Sequence, residues 1–135
     1  MANNNLLSKL KFRPEYQMLV INAPDNYMEN LLGINYAINL DEVSGEVDML
    51  HIFAYNKNDV DRLVPSAIKC LKYDGLLWIS YAKGTSKIKT DINRDKGWDT
   101  LKAMGFEGIA LIAIDETWAA MRFRPKEKIK GLRGK

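Results

Sequence analysis

Three short runs are apolar on both of their alternating faces: residues 17–22 (QMLVIN), 47–54 (VDMLHIFA) and 76–81 (LLWISY). A strand with one wet face alternates apolar and polar residues, whereas one covered on both sides does not. Helical patterns follow the first two runs. Residues 25–32 place Tyr27, Met28, Leu31 and Leu32 on one face, with Pro24 at the first turn and Gly33 as the stop. Residues 59–71 do the same with Val60, Val64, Ala67 and Leu71, and Pro65 there demands a late start or a kink. Strands joined by helices pair in parallel through right-handed crossovers. The sequence thus predicts three adjacent parallel strands at a sheet centre, with helices on both faces.

Weaker signals complete the order. Residues 35–40 read as a strand interrupted by Asn35 and Asn39, and residues 73–75 (YDG) read as a turn before the third strong run. A last helix is expected over 93–104, with Trp98, Leu101 and Met104 inward and Gly105 as its cap. Strands over 109–114 and 118–124 are separated only by Asp115, Glu116 and Thr117, a link too short for anything but an antiparallel pair. The fold class predicted is α/β: a three-layer, Rossmann-like, mostly parallel sheet with a C-terminal antiparallel hairpin. It forms a single domain over 1–124, followed by a basic, mobile tail over 125–135.

Composition narrows the function classes. The tail holds five basic residues against Glu127, a balance of +4 against a net charge of +3, so the body is close to neutral at −1. That balance argues against a broad nucleic-acid footprint. One cysteine (Cys70) and one histidine (His51) exclude an internal disulfide and a His/Cys metal cluster. The N-terminus lacks the apolar core of a signal peptide, and no apolar run approaches the ~20 residues of a membrane span. The expectation is a cytoplasmic protein with no membrane partner.

The candidate site follows from the third strong run. It opens into Lys83, Gly84, Thr85, Ser86, Lys87, Ile88, Lys89 and Thr90, a basic, hydroxyl-rich crossing. In open α/β sheets ligands bind beyond the C-terminal ends of the strands. Lys83, Ser86 and Lys89 are therefore the expected holders of a small anion. Tyr81 and Trp118, at strand ends, are expected to wall a pocket, and Asp91 or Asn93 to cap the helix that follows. His51, mid-strand, reads as a hydrogen-bonded core histidine, and Cys70 as structural.

The three strong strands with the terminal hairpin resemble a trimmed Rossmann-like methyltransferase. More closely, Ile21–Pro24 (INAP), Asp48–Phe53 (DMLHIF), Asp74–Tyr81 (DGLLWISY), Lys83 with Thr85–Asp91 (TSKIKTD), and Asp115–Trp118 (DETW) resemble a family of small bacterial proteins, the domain-of-unknown-function 3052 family. The resemblance runs from about Leu10 to Arg124. It implies a fold and a site rather than a reaction, and it leaves the cofactor unknown. Methyltransferases and dinucleotide binders place a glycine-rich turn after the first strand. Here that turn is Asn22-Ala23-Pro24-Asp25-Asn26, without glycine, and Pro24 lacks a donor N–H. Asp41 stands where a ribose-binding acid is expected. The leading expectation is a domain binding a small anionic or nucleotide-like molecule. The alternatives are a divergent methyltransferase-like or phosphoryl-handling enzyme, and an interaction protein that self-associates through its terminal hairpin.

Overall fold

The computed structural model describes residues 4–129. Six strands form one sheet: β1 (Met18–Ile21), β2 (Tyr36–Ala37), β3 (Val47–Ala54), β4 (Leu71–Ala82), β5 (Phe106–Ala113) and β6 (Trp118–Pro125), in the spatial order β2-β1-β3-β4-β6-β5. β1 pairs in parallel with β2 and β3, and β3 with β4; β6 then inserts antiparallel between β4 and β5. The three strong runs are thus adjacent and parallel at the sheet centre, and the hairpin is antiparallel.

Strand alternation divides the core between the two faces. Leu19, Leu50, Ile52, Leu77, Ile79 and Phe123 pack beneath α3 (Lys57–Ala67) and α4 (Asp99–Ala103). Met18, Val20, Met49, Phe53, Trp78 and Ala120 pack beneath α1 (Asn4–Lys9) and α2 (Asp25–Met28). Leu6, Leu7 and Leu10 give α1 its buried side, and the Trp78 indole N–H donates to the Leu10 carbonyl at 3.0 Å. This bond satisfies a buried donor while tying the N-terminal segment to the sheet.

Several boundaries differ from the sequence expectation. Helix α3 starts at Lys57 rather than Asp59, because Asn56 caps it: the Asn56 side chain accepts the Asp59 N–H, and the Asp59 carboxylate accepts the N–H of Tyr55, the residue before the cap, each at 2.9 Å. Pro65 sits inside this helix, which gives way to a 3-10 turn, Ile68–Cys70, soon after it. Residues 73–75 are not a turn between elements. Leu71 already pairs with Val47, so YDG lies within β4 as an irregularity, with Asp74 at φ 61° and Arg124 gripping its carboxylate at 2.8 and 2.9 Å. A methyl group on Gly75 would meet the Leu71 side chain and two carbonyl oxygens at 2.7–3.0 Å. The glycine therefore makes room for the bulge rather than for a chain reversal.

The expected helix over 93–104 shrinks to Asp99–Ala103, and Met104 is exposed rather than inward. Asn93 and Lys96 instead exchange backbone hydrogen bonds, the Asn93 side chain accepts the Asp95 N–H at 2.8 Å, and Gly97 takes φ 104°. An Asx turn closed by a left-handed glycine is incompatible with helix start at that point. β2 is reduced to two residues, since Asn39 and Glu42 form a capping box on a 3-10 turn at Leu40–Glu42. Of the expected mobile tail, Lys126–Lys128 forms a 3-10 turn, and the Tyr73 hydroxyl donates to Glu127 at 2.5 Å. Lys130, Arg133 and Lys135 lie outside the described residues. Among those described, no helix is long and apolar enough to cross a membrane.

Candidate functional site

From β1 the chain passes through α2 on one face to β2; from β3 it passes through α3 on the other face to β4. The strand order therefore reverses between β1 and β3, and this switch point is where α/β sheets usually open a ligand crevice. Here it is bridged. Asn22 adopts φ 66°, a conformation asparagine tolerates better than most residues. Its side-chain amide donates to the Phe53 carbonyl at 2.9 Å. Pro24 is the residue flanking the start of α2, and Asp41 lies exposed on the Leu40–Glu42 turn. Of the sequence-predicted residues, Asn22 and Pro24 thus sit at the switch point, and the Asn22 donor is already used.

Below the switch point lies a buried polar chain. The imidazole of His51 is 3.1 Å from the Tyr27 hydroxyl through Nδ1 and 2.6 Å from Ser80 Oγ through Nε2. Burial holds His51 down at about 3 and pushes the Tyr27 phenol well above its usual value. The ring is therefore neutral, donating from one nitrogen and accepting at the other. A serine–histidine contact is the geometry of an activated nucleophile, but His51 and Ser80 are 0% exposed and Tyr27 is 1%. No substrate reaches them, and the chain is a core hydrogen-bond network, as expected for His51. Aromatic contacts extend it upward: His51 stacks on Phe53, and Trp118 meets Phe53 and Tyr55 edge-on at 5.2 and 5.0 Å.

Trp118 and Tyr81 do not wall one pocket, because they belong to opposite faces of the sheet. Trp118 is core on the α2 side. Tyr81 lies on the α4 side, where its ring meets Trp98 edge-on at 5.6 Å. There it lines a cleft of about 380 Å³ with Lys83, Asn93, Arg94, Leu111 and Ala119 among its walls. No carboxylate lines this cleft among the described residues. The two clefts at the other end of the sheet differ in charge. One beside β2 carries Glu42, and one under the β4 bulge carries Glu46, Asp74 and Glu127 against Lys72. Of these three clefts, the charge of the one beyond β4 is the one that suits an anion.

The crossing after β4 is held by its own short bonds. The Lys83 N–H donates to the Thr117 carbonyl at 2.8 Å, and the Ser86 N–H to the Lys83 carbonyl at 3.0 Å. Ser86 Oγ accepts the Ile88 N–H at 3.3 Å, and Lys89 is exposed; neither lines the cleft. Asp91 does cap a helix, but a distant one: its carboxylate accepts the Lys57 N–H at the start of α3 at 2.7 Å. This bond fastens the crossing to α3 and satisfies one orphan donor. Arg94 was not singled out in the sequence, because the pattern there reads as helix. It is exposed, and its 3.7 Å contact with Asp95 is a surface pair of little energy. Burial pushes the Tyr81 phenol above its usual value, so it remains a neutral hydrogen-bond donor beside these cations.

Fold and strand order define the class: a Rossmann-like methyltransferase fold with a C-terminal antiparallel pair. Solved structures agree. The ribosomal protein L11 methylase of Lactobacillus delbrueckii subsp. bulgaricus superposes with a TM-score of 0.57 and 14% identity over 91% of this chain and 76% of that one. A glycopeptide N-methyltransferase, MtfA, complexed with sinefungin, gives 0.58 and 11% over 90% and 91%. A protein of the NADB-Rossmann superfamily from Streptococcus agalactiae gives 0.55 and 11% over 93% and 69%. At these identities the likeness is one of fold. No family model matches the sequence, and no curated protein does.

Proposed function

We propose that this domain binds a small anionic or nucleotide-like molecule in the cleft beyond β4, with Lys83 and Arg94 facing the charge, Asn93 supplying a polar contact and Tyr81 a wall. The observation that carries this reading is the charge of the cleft: two cationic residues and no described carboxylate, at the C-terminal side of a central strand. Its walls otherwise include the apolar side chains of Leu111 and Ala119, which suit a ligand with an uncharged body beside its anion.

Methyl transfer is the second reading, favoured by the fold of the solved neighbours. Against it stands the switch point, where the Asn22 amide is committed to Phe53 and no glycine lets the backbone approach a cofactor. Two titrations by calorimetry separate the readings. Inorganic phosphate at low ionic strength binds, and Lys83→Ala weakens it about tenfold, since a charge-assisted hydrogen bond is worth about 1.5–3 kcal/mol. The same variant keeps its unfolding midpoint, because a half-exposed lysine contributes under ~0.5 kcal/mol to stability. S-adenosylmethionine binds weakly or not at all. A dissociation constant near ~1 μM, worth about 8 kcal/mol, restores the methyltransferase reading, and phosphate affinity unchanged in Lys83→Ala removes the anion site.

A further inference from the structure

The two edges of the sheet are finished differently. At one end β2 is two residues long, and the Glu42 carboxylate takes the N–H groups of Ile38 and Asn39 just beyond it, at 2.8 and 3.4 Å. At the other end β5 is eight residues long, and no described strand pairs with its outer side. Edge strands are normally blunted by shortness, charge, proline or a bulge. Residues 108–114 (GIALIAI) carry no charge and no proline. The one irregularity in this strand, between Gly108 and Ala110, lies at the start of that run. Ile109 and Leu111 are 37% and 43% exposed.

The ladder with β6 fixes which backbone groups of this edge remain unpaired. The Ile114 N–H donates to the Trp118 carbonyl at 2.9 Å, and bonded and non-bonded pairs alternate along an antiparallel ladder. Ile112 and Ala110 therefore also bond inward, to Ala120 and Arg122. Ala113 and Leu111 turn their N–H and C=O groups outward, where no described residue meets them. Two copies of β5, antiparallel about a two-fold axis through Leu111, offer these groups to each other. Each Leu111 N–H then donates to the other's carbonyl, and Ala110 of one copy lies opposite Ile112 of the other, so the two sheets keep their faces in register. Charge begins only past the run. Glu107 precedes it, with Arg124 directly across on β6; Glu116 and Asp115, whose carboxylate accepts the Thr117 and Trp118 N–H groups, follow it. The antiparallel arrangement brings Glu107 of one copy towards the acidic turn of the other, which confines pairing to the uncharged residues.

We propose that the chain forms a two-fold symmetric dimer by antiparallel pairing of β5 with β5 of a second copy, which continues the sheet across both. The dimer is independent of the anion site. A second copy supplies the same uncharged run at the same length, so the outward groups of Leu111 and both Leu111 side chains find a counterpart. One short strand per copy lies at the small end of specific interfaces, below about 1,200 Å² in total. The dimer is therefore expected in a concentration-dependent equilibrium, with a dissociation constant between about 10 μM and about 1 mM.

The test is sedimentation equilibrium across that concentration range, with amide hydrogen exchange followed at its two ends. The mass of the natural chain should rise from one copy towards two. Leu111→Lys places a charge on each side of the two-fold axis and should stay monomeric throughout, with its urea midpoint little changed because the position is exposed. Leu32→Lys, at an exposed leucine before β2, should dimerise as the natural chain does. In the natural chain the Leu111 and Ala113 amides should exchange at least about twofold more slowly at the high concentration. Those of Ala110 and Ile112, already bonded to β6, should not change. A chain that stays monomeric to the top of the range overturns the proposal. So does a dimer untouched by Leu111→Lys, or one in which the Leu111 and Ala113 amides keep their rates. Should Leu111→Lys fail to fold, exchange in the natural chain decides alone.

Discussion

Lowering the pH from about 6.5 to about 4.5 is expected to cost the folded state about 2–3 kcal/mol through His51 alone. The ring is fully buried between Tyr27 and Ser80, and burial holds its folded value at about 3 against 6.5 when unfolded. Between those values the unfolded chain binds one proton more than the folded chain. Stability therefore rises with pH across this window, by about 1.4 kcal/mol per unit, and is level with respect to His51 above it. The paired carboxylates Asp48, Asp61 and Asp74 are all held below their usual range, chiefly by hydrogen bonds from Lys72, Lys57 and Arg124. Their contributions are present above the ordinary aspartate value of about 4 and are lost only below it, so the two effects separate. His51 is the sole histidine, which makes the assignment clean. Urea unfolding midpoints from pH 4.5 to 7.5 should slope upward in the natural chain and flatten in His51→Gln. A level profile in the natural chain, or an equal slope in the variant, contradicts the buried neutral ring.

Leu77→Ala should lower stability by about 2–5 kcal/mol. Leu77 is fully buried in β4, opposite Leu50 of β3 on one side and Phe123 of β6 on the other. Truncation there removes apolar contacts and leaves a cavity between two paired strands that cannot close on it. Measured as a fall in urea midpoint at unchanged slope, the loss is a large share of the 5–15 kcal/mol typical of a whole domain. A change under ~1 kcal/mol would show that this stretch is not a central strand.

Both effects come from the part of the chain most legible in its sequence. Residues 17–22, 47–54 and 76–81 are apolar on both faces because both faces are covered, which places them at the sheet centre, and the helical patterns between them give their parallel direction. The boundaries were harder wherever a polar side chain, rather than a hydrophobic pattern, set them. Asn56 and Asp59 start α3 two residues early, and the turn built on Asn93 and Gly97 delays α4 by about six. YDG carries the signature of a turn but is absorbed as an irregularity in β4, because Arg124, fifty residues away, holds Asp74. No local pattern reveals that partner.

Of the candidate site residues, the structure brings some to one cleft and sends others elsewhere. The end of the third strong strand leads to the cleft, and Tyr81 and Lys83 both line it. Ser86 and Lys89 follow Lys83 closely in sequence, but the tight turn at Lys83–Ser86 carries them away from the cleft. Trp118 ends on the other face, because side-chain direction depends on strand register, which the hairpin alone settles. Arg94 enters from a turn that resembled helix. Asn22 lies at the switch point, where its amide braces β1 to β3 rather than standing free.

The most direct measurement of the anion site is a nitrogen–proton correlation spectrum recorded while inorganic phosphate is added at low ionic strength. Binding between Lys83 and Arg94 should shift the amide signals of Lys83, Gly84, Asn93, Arg94 and Ala113 together, with one saturating curve. Those of Asn22, Ala23, Asp25 and Asp41 should stay in place. Saturating shifts centred on Asn22–Asp25, with the Lys83 and Arg94 signals unmoved, would return the ligand to the switch point and contradict the account.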